Sequence, residues 1–341
     1  MEPSRNQQGL NRMMTRVSHD SLEQHQVWIY LAGLLLGAGV GMAWPGGSQQ
    51  LDALVWPALA LLLYATFTQM NLADVPRSLR DTRFLLAALV GNFLIIPAAV
   101  FGIVSLIPSQ DALTLGLLLV LLVPCTDWFI TFSALGRGDA VRASGLTPVA
   151  LFLQLGLLPL YLLLMTDFDL GGVFDIRAVW PALMVLALPL AAAILTEAGA
   201  SRRRFLAQVR ERAGWFPVPL LAVVILFVSA SHIGPLQEHL GLLPWVGLAG
   251  GLFLIAALLI SKVIASALRL PAQQGRTLAF SLGTRNSFIV LPFALSLPEG
   301  WEIVPMVIVI QSLVELLGMI FYVWFVPRVW FPDRTIRAPQ G

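Results

Sequence analysis

A thiol, a hydroxyl and a carboxylate follow a proline in Val123-Pro124-Cys125-Thr126-Asp127-Trp128. The stretch sits inside an apolar run from about Thr114 to Leu135, and a bilayer crossing takes roughly 20 such residues. A carboxylate at that depth costs about 2.5–3.5 kcal/mol on insertion scales and marks a path for an ion or solute. Pro124 removes a backbone donor and clashes with the Val120 carbonyl, so the helix is expected to break there. Broken backbone at membrane depth must be buried in protein or line a wet cavity. A second stretch, Leu282-Gly283-Thr284-Arg285-Asn286-Ser287-Phe288, has the same character. Gly, Thr, Asn and Ser in succession weaken a helix, and Pro292 frees the Phe288 carbonyl. Arg285 is the one arginine inside an expected span. Together the two stretches offer an acid, a base and a thiol to one transport site.

Each of these groups has two readings. Cys125 is either a small buried hydrophobe or a soft ligand; a lone thiolate suits a passing guest better than a resident metal, which takes about four ligands. Asp127 and Arg285 either latch the two breaks together as an ion pair, or act on solutes separately. In the second case Arg285 and nearby helix N-termini attract an anion, while Asp127 accepts a proton or cation. Glu315, between Val314 and Leu316 in the last span, is either a proton carrier or a carboxyl bonded to neighbouring backbone. Asn92, Gln154 and Gln311 serve as interhelical hydrogen-bonding groups or as solute contacts. His232 and Lys262 lie near span ends, where snorkelling accounts for them. Gly136-Arg137-Gly138-Asp139 spells the GxGD of intramembrane aspartyl proteases. It falls in an expected cytoplasmic turn with no membrane Tyr-Asp pair before it, so an enzyme is not the reading.

The elements that must position these groups follow from composition. Hydrophobic residues make up 57% of the chain and charged residues 12%, and the mean hydropathy is +0.81. That excludes a soluble domain and gives an all-α polytopic membrane protein. The net charge of +2 comes from loop arginines and implies no nucleic-acid partner. One cysteine excludes an intramolecular disulfide, and no cofactor is expected. Spans are expected at 27–44, 51–70, 84–107, 112–135, 144–165, 178–196, 215–232, 244–268, 277–297 and 302–326, between a polar tail at 1–26 and another at 327–341. A cleaved signal peptide is disfavoured by the further spans. Arginine alternates between loops: Arg77, Arg80 and Arg83, then Arg137 and Arg142, Arg202 to Arg212, and Arg269 and Arg276 fall on one side, while Arg177 stands alone on the other. By the positive-inside rule both termini are cytoplasmic, which requires an even number of spans. The arginine-rich stretch 199–213 reads as a linker helix near anionic lipid.

The halves echo each other. Thr147-Pro148 and Val304-Pro305 are each followed by five apolar residues and then Gln154 and Gln311, and Gly91-Asn92-Phe93-Leu94-Ile95 resembles Gly251-Leu252-Phe253-Leu254-Ile255. A repeat of five spans must be inverted in its second copy. The expected architecture is therefore ten transmembrane helices in two inverted five-helix repeats, 27–166 and 178–326, with broken helices 4 and 9 crossing in a core domain.

Pro124-Cys125-Thr126 leading to Gly138-Asp139 and Gly145-Leu146, Asn92-Phe93-Leu94-Ile95-Ile96-Pro97, Asn286-Ser287-Phe288 and Leu313-Val314-Glu315 resemble the arsenite-efflux permease family of the bile acid/sodium symporter superfamily. The resemblance implies a panel of spans one, two, six and seven and a core of the rest, rocking to give alternating access. It places the essential cysteine and glutamate at Cys125 and Glu315, and departs from the family at Asp127 and Arg285. The implied function is a secondary transporter in the cell membrane that exports arsenite, or antimonite, in exchange for protons. Cys125 would touch the metalloid, Thr126, Asn286, Ser287 and Asn92 would hydrogen-bond it, and Glu315 would carry the coupling proton with Asp127. The alternative is a sodium- or proton-coupled symporter of a small organic anion; Arg285 opposes a nearby sodium by Coulomb repulsion.

Overall fold

The computed structural model describes residues 25–44, 49–69, 81–126, 128–166, 176–200 and 202–333. Among these the architecture is all-helical, with no β-strand. In chain order the helices are α1 (Gln26–Ala43), α2 (Asp52–Phe67), α3 (Thr82–Val104), α4 (Asp111–Leu122), α5 (Trp128–Leu135), α6 (Ala140–Met165) and α7 (Ile176–Ala200). They continue with α8 (Arg204–Ala213), α9 (Pro217–Glu238), α10 (Leu243–Ala267), α11 (Ala272–Gly283), α12 (Ser287–Leu295) and α13 (Val304–Phe325). Seven of these, α1, α3, α6, α7, α9, α10 and α13, are long and apolar enough to cross a membrane. The other apolar elements are shorter: α2, of 16 residues, and the pairs α4/α5 and α11/α12. The expected spans at 112–135 and 277–297 are thus each two half-helices.

Local chemistry sets the ends. Asp81, Asp139 and Asn286 precede α3, α6 and α12, and each side chain accepts from an amide of the first turn, Phe84, Arg142 and Ile289 respectively. Such caps satisfy donors that the helix itself leaves unbonded. Proline in the first turn of α10 and α13 removes another such donor at no cost.

The chain divides into two compact units, residues 1–69 with 187–234, and residues 70–186 with 235–341. The first unit holds α1, α2, α8 and the greater part of α7 and α9. Gly33, Gly37 and Gly41 lie one turn apart along α1 and face the carbonyls of Ala222, Leu226 and Ala230 on α9. A Cβ at Gly37 would fall 2.3 Å from the Leu226 oxygen, so glycine is what lets the two backbones approach. Tyr64 and Thr196 share a hydroxyl hydrogen bond of 3.0 Å. Of the expected linker at 199–213, Arg204–Ala213 form a helix, α8, and Arg210 on it donates to the Thr68 carbonyl at 3.1 Å.

The second unit holds α3 to α6 and α10 to α13. The starts of α3, α6 and α11 are tied by polar groups: Arg142 Nε donates to Asp81 at 2.7 Å, Gln274 donates to the same carboxylate oxygen at 2.9 Å, and Arg142 also pairs with Asp139. Burial alone would raise the Asp81 carboxyl, but the Phe84 amide, the Arg142 guanidinium and the Gln274 amide hold it below its ordinary value. The GxGD stretch is part of this corner. Gly136 and Gly138 lie tight against Phe280 and Thr277, and Asp139 is a helix cap and ion-pair partner. Arg276, expected in a loop, is instead inside α11 and buried; it donates to the Phe331 and Arg137 carbonyls and pairs with Asp333. Lys262, expected to snorkel, donates to the Trp330 carbonyl and lies 4.5 Å from the Phe331 ring centroid.

Candidate functional site

The two breaks meet. Val123, the residue before proline, takes an extended conformation (φ −103°, ψ 108°), as the proline ring requires of its neighbour, and α4 stops at Leu122. Thr284 is also extended (φ −106°, ψ 141°), and α11 stops at Gly283. The two extended segments run antiparallel and form a single bridge, Pro124 opposite Arg285. Cys125 N–H donates to the Thr284 carbonyl at 3.1 Å, and Asn286 N–H donates to the Val123 carbonyl at 2.8 Å. Two of the amides and two of the carbonyls freed by the breaks therefore satisfy each other. Pro124 stands at the member of the pair that donates nothing across the bridge, so its missing N–H leaves no gap there. Arg285 has an amide at the equivalent position, pointing away from the bridge, and Glu315 Oε1 accepts it at 2.9 Å. The Glu315 carboxyl thus has a backbone partner, and it is 1% exposed.

Side chains knit the crossing further. Asn286 donates to Thr126 Oγ1 at 2.8 Å while its oxygen caps α12. Ser287 opens that helix and is buried. Trp128 and Phe288, in the first turns of α5 and α12, meet edge to face with centroids 5.0 Å apart. Cys125 is buried and in no disulfide. Asp127 lies outside the described residues.

Arg285 does not project into open space. Its guanidinium donates to Asn92 Oδ1 at 2.9 Å, to the Leu282 carbonyl at 2.7 Å, to the Ser281 carbonyl at 3.2 Å and, at 3.5 Å, to the Leu121 carbonyl. It stands 5.0 Å over the Phe253 ring. Asn92 is oriented for this by donating to Ala88 O and Ser281 Oγ, both at 3.0 Å. It belongs to a π-helical turn, Gly91–Ile95, an irregularity often found at functional positions. The structure therefore brings Cys125, Thr126, Arg285, Asn286, Ser287, Glu315 and Asn92 into one connected region. Gln311 is buried one turn before Glu315, and Gln154 is buried with no partner for its amide among the described residues. Sequence reasoning passed over Ser281 and Phe253. Phe253 had a signal, since it matches Phe93 in the echo between the third and eighth spans.

Residues 56–265 match the Sodium Bile acid symporter family; the match includes the α4/α5 break and ends before the α11/α12 break. The chain is 26% identical over 254 residues to the P3 protein of Mus musculus, covering 69% of this chain and 51% of that one. It is 25% identical to the P3 protein of Homo sapiens, covering 69% and 50%. The chain thus spans about half the length of the curated relatives it matches. None of these matches points to arsenite efflux, and the organic-anion alternative is the closer of the two expectations. With seven helices fit to cross a membrane among the described residues and a family match over more than half its length, this multi-pass membrane protein belongs to the Sodium Bile acid symporter family.

Proposed function

We propose that this chain is a secondary carrier of a small organic anion in the cell membrane, with the solute taken up beside the crossing of the two broken helices. The single observation that carries the reading is the bridge between Pro124 and Arg285. It puts the first turns of α5 and α12 at one place, and helix N-termini carry the positive end of the backbone dipole, which suits an anion. Thr126, Asn286, Ser287 and Cys125 are the contacts the solute would use, and Glu315 takes the coupling proton. In this reading the ten spans form two inverted five-helix repeats with both termini cytoplasmic. Support comes from the pairing of a broken α4/α5 with a broken α11/α12 and from the division of the chain into two compact units, which supplies the parts that alternating access needs.

Arsenite export is a second reading, favoured by one observation: the only cysteine of the chain lies in the bridging segment itself. Uptake into proteoliposomes containing the full chain tests both. Saturable uptake of radiolabelled small organic anions, absent from protein-free liposomes and unaffected by arsenite, supports the first. Arsenite flux that is abolished by Cys125→Ser, with no organic anion moved, would replace it with the second.

A further inference from the structure

Two half-helices, α4 and α11, end at the crossing, and each leaves the carbonyls of its last turn without helical partners. These carbonyls are the negative end of each helix dipole. In carriers built on broken helices, unwound carbonyls and half-helix C-termini are what hold a coupling cation. Here they already have one. The Arg285 guanidinium donates to Leu121 O from α4, to Ser281 O and Leu282 O from α11, and to Asn92 Oδ1 from α3. Among the described residues all four acceptors are neutral oxygens, three of them backbone, drawn from three helices, and the face of Phe253 is offered to the same cation. The residue is 1% exposed. A set of uncharged oxygens converging from separate helices is a shell for a monovalent cation; the guanidinium meets it chiefly through Nη2, which three of the four oxygens approach to 3.2 Å or less, while Nε has no partner among the described residues.

We propose that Arg285 is a tethered cation that permanently holds the place a coupling sodium ion would take between the C-termini of α4 and α11, so that this chain works without sodium. The inference rests on reading the chain as a solute carrier, and it deepens that reading by naming its ion dependence. A fixed positive charge among these oxygens excludes a second cation from the same place by simple repulsion. The family's name would then not describe the ion dependence of this member, and the discriminating residue lies outside the matched residues 56–265.

The test reads cation binding directly, without transport. The full chain, with Arg285→Lys and Arg285→Ala beside it, is reconstituted in lipid nanodiscs, and its thermal unfolding midpoint is followed by tryptophan fluorescence. Sodium chloride is compared with choline chloride at equal ionic strength. Wild type and Arg285→Lys should unfold at the same temperature in both salts. Arg285→Ala, with the oxygens vacated, should be stabilised by sodium over choline by several degrees, saturably, because a ligand that binds only the folded state raises its midpoint. A purely structural arginine would lower the midpoint of Arg285→Ala equally in both salts, and that result overturns the proposal. So does any saturable stabilisation of the wild type by sodium. Should Arg285→Ala fail to fold, the wild-type comparison decides alone, sodium-specific stabilisation refuting the proposal and its absence supporting it. If no anion is carried in liposomes, the carrier reading fails while these midpoints still report on Arg285.

Discussion

Replacing Glu315 separates what its oxygen does from what its proton does. In the folded chain Oε1 accepts the Arg285 amide at 2.9 Å, and both residues are 1% exposed. The amide cannot turn to the bridge, because the bridging hydrogen bonds are made by Cys125 and Asn286. Glu315→Ala therefore strands a buried donor, which costs about 1–3 kcal/mol. It also removes packing from a closely filled site, and the sum is about 3–5 kcal/mol. Glu315→Gln keeps an oxygen in place to accept the amide, at a cost of about 1 kcal/mol. The assay is reversible unfolding in mixed micelles, read by tryptophan fluorescence, followed by flux measurement on the variant that folds. The expected order of stability is wild type, then Gln close below, then Ala far below. Because Gln cannot release a proton, its flux should also stop responding to an imposed pH gradient. Equal stability of Ala and Gln would refute the role of Glu315 in holding the crossing, and a Gln variant with a wild-type response to pH would refute the proton role.

Three further outcomes are expected. Asn286→Ala removes both the α12 cap and the bond to Thr126, and should lower stability by about 1–3 kcal/mol, measured in the same micelle assay. Gly37→Ala places a Cβ 2.3 Å from the Leu226 carbonyl, so α1 and α9 must part, at a cost of about 1–3 kcal/mol; a midpoint equal to wild type would refute the close approach. Asp81→Asn weakens the corner formed with Arg142 and Gln274 by about 1 kcal/mol or less, since the pair is partly exposed and screened. The Asp81 carboxyl is held below its ordinary value of 3.8 in the folded chain. Its contribution is therefore complete above that value and lost as pH falls through the lower folded value. The gap between wild type and Asp81→Asn should be full at neutral pH and shrink only in strong acid, as unfolding curves at stepped pH will show.

Much of the site was legible in the sequence because its causes are residue types. Pro124 cannot continue a helix, and the run from Gly283 to Ser287 is a poor helix former, so both breaks were expected where α4 and α11 end. The family resemblance joined the same residues, though its finer assignment to arsenite efflux has no counterpart in the matches. What the sequence did not reveal is how the breaks are satisfied. An antiparallel pairing of Val123 to Cys125 with Thr284 to Asn286 uses backbone groups that every residue has, so it leaves no mark in residue type. The same reason hid the partners of Arg285. An acid was sought for it in Asp127, which lies outside the described residues; among the described residues three of the four acceptors of its guanidinium are main-chain carbonyls. Arg276 was placed in a loop by counting charges, a method blind to a buried arginine that reaches carbonyls of a neighbouring turn. The stripe Gly33, Gly37 and Gly41 had a visible spacing of four, and its meaning emerged only with α9 opposite it.

The most direct measurement is uptake of small organic anions into liposomes containing the full chain, with wild type beside Thr126→Val, a near-isosteric change at the crossing that removes the acceptor of the Asn286 amide. Solute held at the crossing predicts saturable uptake by the wild type and a marked rise in KM or loss of uptake in a variant whose unfolding midpoint shows it is folded. Unchanged uptake by a folded Thr126→Val would contradict a solute site at the crossing, and no uptake of any anion by the wild type would contradict the carrier itself.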